Sequence, residues 1–126
     1  MKNALDLVAS AKQLIHEVSV EEADTVIKQA DVLIDVRESD EYYSGHIPGA
    51  INIPRGLLEF RLSNDETLSR RDLNIVLFCK NSGRSALSAQ SLKEMGYLNV
   101  TSIAGGFDAW QEANKPVIVP SLPDFG

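Results

Sequence analysis

The chain carries at residues 75–85 the sequence Ile75-Val76-Leu77-Phe78-Cys79-Lys80-Asn81-Ser82-Gly83-Arg84-Ser85. Its four leading apolar residues predict a buried strand, and residues 85–95 have the apolar spacing of a helix. The only cysteine, Cys79, therefore lies where a strand ends and a tight polar loop begins. Backbone N–H groups of such a loop and of the first helical turn have no partners within the helix. This unit predicts a cradle of hydrogen-bond donors around the sulfur of Cys79.

The charges of this segment favour an anion on that sulfur. Residues 79–93 contain Lys80, Arg84 and Lys93 and no acidic residue. Donors and cations stabilise a thiolate, which is the nucleophilic form of cysteine. A single cysteine at a strand end is also compatible with a small buried hydrophobe. The Gly-Arg-Ser sequence at the strand-to-helix junction favours the catalytic interpretation.

Composition describes one ordinary globular domain. The chain has 126 residues, of which 44% are hydrophobic and 24% charged, with a net charge of −6. This acidic balance argues against binding to a nucleic-acid backbone, which needs a basic face. A locally basic segment in an acidic protein favours a small anionic ligand instead.

Cysteine usage and hydropathy bear on the compartment. One cysteine cannot form an internal disulfide, so nothing in the sequence requires an oxidising environment. We see neither a signal peptide nor an apolar run of membrane-spanning length, and we therefore expect a cytoplasmic protein without membrane contact.

Helices and strands are predicted to alternate along the chain. The helix predictions cover residues 2–15, 19–29 (beginning with the capping box Ser19–Glu22), 39–44, 55–62, 85–95 and a short segment between 105 and 116. The strand predictions cover a short segment at Val18 and residues 32–36, 50–53, 75–78 and 100–103. His16 is expected near the end of the first helix, which packs against the domain or, alternatively, forms a dimer contact. This alternation predicts an α/β fold with a mostly parallel central sheet.

Four motifs together carry a family resemblance. They are Leu33-Ile34-Asp35-Val36-Arg37-Glu38 with Glu41-Tyr42, Gly45-His46-Ile47-Pro48-Gly49-Ala50-Ile51-Asn52-Ile53-Pro54, the loop from Cys79 to Ser85, and Gly105-Gly106-Phe107-Asp108-Ala109-Trp110. In this order and spacing the chain resembles a single-domain rhodanese (sulfurtransferase) from about residue 18 to 116. The resemblance implies helices on both faces of the sheet and an extra N-terminal helix. The expected organisation is an N-terminal helix (1–16), a rhodanese-like domain (17–119) and an extended C-terminal tail (120–126).

The resemblance also implies a reaction and its residues. Cys79 takes sulfane sulfur from a small anionic donor such as thiosulfate, becomes a persulfide, and passes the sulfur to cyanide or a thiol, which can belong to a partner protein. No cofactor or metal is implied. Arg84 closes the loop and can pair with oxygens of the donor, whereas Lys80 is not expected to be essential. Asp35 and Arg37 are expected to support the site by tying loops together. The residues expected to bind the persulfide or substrate are Lys80, Asn81, Ser82, Gly83, Arg84 and Ser85.

Two other functions remain open at this stage. Cysteine-dependent phosphatases and arsenate reductases also use Cys…Arg loops that cradle an oxyanion, and a rhodanese-like domain can serve as a non-catalytic sulfur carrier or interaction module. Four residues separate Cys79 from Arg84, and the resemblance implies that the phosphatase-like relatives have a loop one residue longer. A short loop suits one terminal sulfur better than a phosphoryl group, because each phosphoryl oxygen needs its own donors. The loop length therefore favours sulfur transfer.

Overall fold

The computed structural model describes residues 1–120 and has an α/β architecture. Its helices are α1 (Ala4–Lys12), α2 (Val20–Gln29), α3 (Ser39–Ser44), α4 (Leu58–Asn64), α5 (Gly83–Glu94) and α6 (Gly106–Glu112), and a 3₁₀ turn at Arg55–Leu57 precedes α4. The strands are β1 (His16–Val18), β2 (Val32–Asp35), β3 (Ile51–Asn52), β4 (Asn74–Phe78) and β5 (Asn99–Ile103).

The five strands form one parallel sheet in the order β1-β5-β4-β2-β3. The mostly parallel sheet predicted from the sequence is thus confirmed. The chain runs from β2 outward to β3 and then returns to β4, which pairs with β2 on one side and β5 on the other. The strand order reverses between β2 and β4, and sites in open α/β sheets form where the strands end at such a reversal.

Side chains of β4 alternate between two apolar cores. Ile75, Leu77 and Cys79 lie in the core that contains residues of α4 and α5. Val76 and Phe78 lie in the core on the opposite face, which contains residues of α2 and α6. Successive side chains of a strand point to opposite faces of the sheet. This alternation directs Cys79 toward α5, the helix whose first turn follows the loop.

The N-terminal segment differs from its prediction. The first helix ends at Lys12, and His16 belongs to β1, where it pairs with Thr101 of β5. His16 is therefore not at a helix C-terminus, because edge-strand pairing recruits the residues that follow the helix. Helix α1 packs against α5 and buries Ala11 completely, which confirms the predicted packing against the domain.

The predicted capping box of α2 is also wrong. Ser19 is the N-cap residue, but its side chain makes no capping hydrogen bond. Reciprocal capping boxes occur instead at α1, between Asn3 and Asp6, and at α3, between Glu38 and Glu41. The prediction for the tail lies outside the described residues, apart from Pro120. Within residues 1–120, no helix has both the length and the hydrophobicity needed to cross a membrane.

Candidate active site

Cys79 lies directly after β4, at the edge of the sheet where β2 also ends with Asp35. The two strands pair so that Asp35 stands opposite Phe78, the residue before the cysteine. The site therefore occupies the carboxyl edge of the central strands, next to the reversal of strand order.

The sulfur of Cys79 is fully buried and lies in a polar pocket made by serines. The Ser85 backbone N–H donates to Cys79 Sγ at 3.3 Å, and Ser85 Oγ lies 3.5 Å from the same sulfur. Ser102 Oγ donates to Ser85 Oγ at 2.9 Å, and Ser85 Oγ donates to the Ser82 carbonyl at 3.2 Å. Ser85 and Ser102 are fully buried. A chain of hydroxyl groups therefore extends from β5 to the sulfur.

The loop turns sharply into α5 at Ser82. This residue has φ of +142°, a conformation that residues other than glycine rarely adopt, and its carbonyl accepts the Ala86 N–H at 2.9 Å. The Gly83 N–H donates to Asn81 Oδ1 at 3.3 Å. Among the backbone N–H groups of residues 1–120, only that of Ser85 donates a hydrogen bond to Sγ. That the rest of the loop surrounds a transferred sulfur stays a prediction.

Helix α6 supports the loop from the other side of the cysteine. The Phe107 N–H donates to the Cys79 carbonyl at 2.8 Å, and the Asp108 N–H donates to the Lys80 carbonyl at 2.9 Å. A Cβ atom at Gly106 would lie 2.4 Å from the Cys79 carbonyl oxygen, and Gly106 has φ of +56°. Only glycine allows the two backbones to approach this closely without strain. The glycine motif therefore positions the backbone of the cysteine.

Carboxylates from distant parts of the chain pair with the cations of the loop. Arg84 donates to both oxygens of Glu41, at 2.7 and 3.0 Å. The Arg84 hydrogen bond lowers the pKa of Glu41, and the Glu41 hydrogen bond raises the pKa of Arg84. Lys80 Nζ contacts Asp108 at 2.9 Å and is largely exposed. The positive charge of the segment is thus substantially offset in the folded protein.

Asp35 and Arg37 form a buried ion pair beside the site. Arg37 Nε contacts the two Asp35 oxygens at 3.0 and 3.1 Å, and Arg37 Nη2 contacts Oδ2 at 2.7 Å. The same Nη2 donates to the Gly45 carbonyl at 2.7 Å, and the guanidinium lies 4.4 Å from the Phe107 ring centroid. These contacts join the end of β2 to the residue after α3 and to α6.

An open polar cleft of about 430 Å³ adjoins the loop. Its lining includes charged side chains of both signs, namely Arg37, Asp40, Glu41, Lys80 and Asp108, together with Phe107. The cleft gives a small charged molecule room beside the first residue of the loop.

Two residues near the loop were not singled out in the sequence. Ser102 lies in β5 and is fully buried. The segment from Val100 to Ile103 contains two polar residues, and a polar side chain in a buried strand needs a hydrogen-bond partner, which is the signal for Ser102 in the sequence. Lys12 Nζ donates to Ser82 Oγ at 2.8 Å and lies 3.5 Å from Glu17. Nothing in the sequence connects Lys12 with Ser82, because 70 positions separate them.

Comparisons with known proteins find a family match over most of the chain. Residues 19–113 match the family described as the rhodanese-like domain. The chain is 42% identical over 78 residues to the uncharacterized protein YqhL of Bacillus subtilis, covering 62% of this chain and 59% of that protein. It is 31% identical over 102 residues to thiosulfate sulfurtransferase GlpE of Haemophilus influenzae, covering 80% of this chain and 92% of that protein.

Among solved structures, a Rhodopseudomonas palustris protein of unknown function, described as a possible tyrosine phosphatase, superposes with a TM-score of 0.85 at 29% identity. The match covers 94% of this chain and 96% of that one. The family match spans most of the chain and includes every residue from Asp35 to Trp110 that forms the site. The chain therefore belongs to the rhodanese-like domain family.

Proposed function

We propose that the protein is a sulfurtransferase that carries sulfane sulfur on Cys79 as a persulfide. The observation that supports this proposal most directly is the environment of Sγ, which receives the Ser85 N–H and lies beside the Ser85 hydroxyl at the end of the central strand. The Ser85 N–H stabilises negative charge on the sulfur, and a thiolate is the nucleophile that sulfur transfer requires.

The proposed reaction has two exchange steps. In the first, the Cys79 thiolate attacks the sulfane sulfur of thiosulfate, a new S–S bond forms, and sulfite leaves with the electron pair of the broken bond. In the second, cyanide or a thiolate attacks the outer sulfur, the S–S bond breaks, and the Cys79 thiolate is restored. No second cysteine is present to resolve the persulfide, so the sulfur passes to an external acceptor, which can be a protein thiol. The reducing conditions of the cytoplasm suit this cycle.

Access to the sulfur sets a condition on this chemistry. Cys79 is fully buried, so a donor reaches Sγ only when the loop is displaced from its closed position. Local openings of this kind occur in native proteins on small segments with few buried contacts. We therefore expect loop opening to precede sulfur loading.

Hydrolysis of phosphate esters is the competing chemistry, and similarity to a possible tyrosine phosphatase makes it worth testing. Both activities would use the same cysteine. The four residues between Cys79 and Arg84 favour sulfur transfer, since a longer loop would be needed to give each phosphoryl oxygen its own donor.

Intact-mass measurement after brief exposure to thiosulfate tests the proposal. Wild-type protein should gain one sulfur atom, and Cys79→Ser should gain none while keeping its circular dichroism spectrum, because an alcohol at this position is scarcely ionised. Thiocyanate production from thiosulfate and cyanide should likewise disappear in the variant. Loading without turnover would indicate a sulfur carrier.

The same two proteins are then compared on an aryl phosphate substrate. We expect no hydrolysis that depends on Cys79. Wild-type protein that hydrolyses the aryl phosphate through Cys79 and does not load sulfur would overturn the proposal in favour of a phosphatase.

A further inference from the structure

Lys12 of the N-terminal helix contacts the loop that follows the buried Cys79. Its Nζ donates to Ser82 Oγ at 2.8 Å, across 70 positions of sequence. Lys12 lies outside residues 19–113, the part of the chain that matches the rhodanese-like family. From these observations we propose that Lys12 is a positioning residue that holds the loop closed over the sulfur of Cys79.

The Lys12 hydrogen bond acts on Ser82, the residue of the loop with a strained backbone. Its φ of +142° is strained for a residue with a side chain, so the closed loop needs contacts that compensate the strain. The Lys12 hydrogen bond is one, and it has a charged donor, which makes it stronger than a neutral one. Lys12 therefore opposes relaxation of Ser82 toward an ordinary backbone conformation.

Lys12 is connected to the sulfur of Cys79 through Ser82 and Ser85. The Ser82 carbonyl accepts the Ser85 hydroxyl at 3.2 Å, and the Ser85 hydroxyl and N–H lie 3.5 and 3.3 Å from Sγ. If Ser82 shifts, the acceptor of the Ser85 hydroxyl shifts with it. Lys12 thus affects both the exposure of Sγ and the orientation of its nearest hydroxyl group.

Packing of α1 supports the same geometry. A Cβ atom placed on Gly83 would lie 3.7 Å from a methyl group of Val8, so α1 runs directly beside the start of α5. Ala11, next to Lys12, is fully buried. The helix therefore presents the ammonium group to the loop from a fixed support.

Alkylation of Cys79 by iodoacetamide measures this closure. The cysteine is fully buried, so the rate follows the fraction of molecules in which the loop is open. Lys12→Met keeps most of the side-chain length and removes the donor. We expect roughly fivefold faster alkylation, the effect of losing one partly exposed hydrogen bond. Lys12→Arg, which keeps a charged donor, should stay near wild type, and so should Lys28→Met, which changes a lysine in the last helical turn of α2.

A double-mutant cycle separates this role from general support of the fold. Ser82→Ala removes the acceptor hydroxyl and should itself accelerate alkylation, and the double variant should react no faster than the faster single variant. The acceleration should be equal at pH 7 and pH 9, because opening scales the rate independently of thiol ionisation. Ser82→Ala also keeps the test decisive if Lys12→Met folds poorly.

Two results would overturn the inference. One is an alkylation rate of Lys12→Met within twofold of wild type, and the other is a double variant whose acceleration is the product of the accelerations of Lys12→Met and Ser82→Ala. The inference takes its biological meaning from the proposed sulfur transfer, but alkylation reports loop closure whether or not the protein transfers sulfur. Failure of sulfur loading with the expected alkylation pattern would therefore refute the proposed function alone.

Discussion

Replacing Asp35 by Asn should show how much the buried ion pair at the end of β2 contributes to the free energy of unfolding. Asp35 is fully buried and Arg37 is 4% exposed. The Asn side chain can still accept the Arg37 backbone N–H, which donates to Asp35 Oδ1 at 2.9 Å in the wild type. The substitution therefore removes the negative charge with little change in shape, and it leaves the Arg37 charge buried.

The expected magnitude follows from that uncompensated charge. Removing one partner of a buried pair typically costs about 3–5 kcal/mol. Arg37 keeps its hydrogen bond to the Gly45 carbonyl and its position over the Phe107 ring, so we expect the lower end, about 3 kcal/mol. For a domain of this size that corresponds to a fall in Tm of roughly 10–20 °C. The protein should remain folded at 25 °C if its stability lies in the usual range.

Urea unfolding followed by circular dichroism is the assay, and the chain offers a matched control. Asp72 makes a similar two-contact pair with Arg70, at the same spacing in sequence but on the exposed surface. Asp72→Asn should leave the midpoint almost unchanged, because exposed pairs contribute little. Adding Arg37→Met to Asp35→Asn should recover part of the loss, since it removes the unpaired charge.

Equal effects of Asp35→Asn and Asp72→Asn would refute the reasoning. A double variant less stable than Asp35→Asn alone would do the same, because it would mean that the buried guanidinium is not destabilising without its partner. The denaturant slope must stay constant across the series for the midpoints to be compared.

Three further substitutions test the loop and its support. Arg84→Ala should lower kcat/KM for thiosulfate, because it removes a charged contact that stabilises the transition state by about 1.5–3 kcal/mol, and the loss of folding stability should be smaller. A kcat/KM within twofold of wild type would leave Arg84 only a structural role. The pKa of Glu41 is lowered mainly by its hydrogen bond from Arg84, so the pair stabilises the fold fully above the ordinary glutamate value of 4.5 and loses this contribution as the pH falls through the lower folded value. Glu41→Gln should therefore reduce the loss of unfolding free energy between pH 6 and pH 3. An unchanged loss would mean that the pair with Arg84 is not its source. Gly106→Ala should lower the free energy of unfolding measured in urea by about 1–3 kcal/mol, because alanine disfavours φ of +56° and its Cβ would overlap the Cys79 carbonyl. A midpoint close to wild type would mean that α6 can move away freely.

Local sequence determined the unit that carries the cysteine. Four apolar residues before Cys79 specify a buried strand, and the strand alternation assigns Cys79 to the same face as Ile75 and Leu77. The spacing of Ala86, Ala89 and Leu92 specifies the helix that follows, and all three are buried in the structure. These features were predictable because they depend on contacts between residues close in sequence and on a period that the pattern displays.

The boundaries of the N-terminal segment were less predictable. Apolar residues continue beyond Lys12 at Leu14 and Ile15, so helical periodicity extended the first helix too far. The structure ends α1 at Lys12 and uses His16 in an edge strand paired with β5. Tertiary pairing with a strand more than 80 positions away outweighed the local pattern.

Tertiary structure alone decided which charges and hydroxyls meet at the site. The sequence near Cys79 displays only cations, whereas folding brings Glu41 to Arg84 from 43 positions away and Asp108 to Lys80 from 28 positions away. Lys12 and Ser102 reach the loop in the same way. Such pairs depend on the order of the strands and on the packing of helices across them, and neither is encoded in any local period of the sequence. The position of Cys79 between a strand and a helix could be predicted from the chain itself, but the groups that hold and neutralise its surroundings are neighbours only in the folded protein.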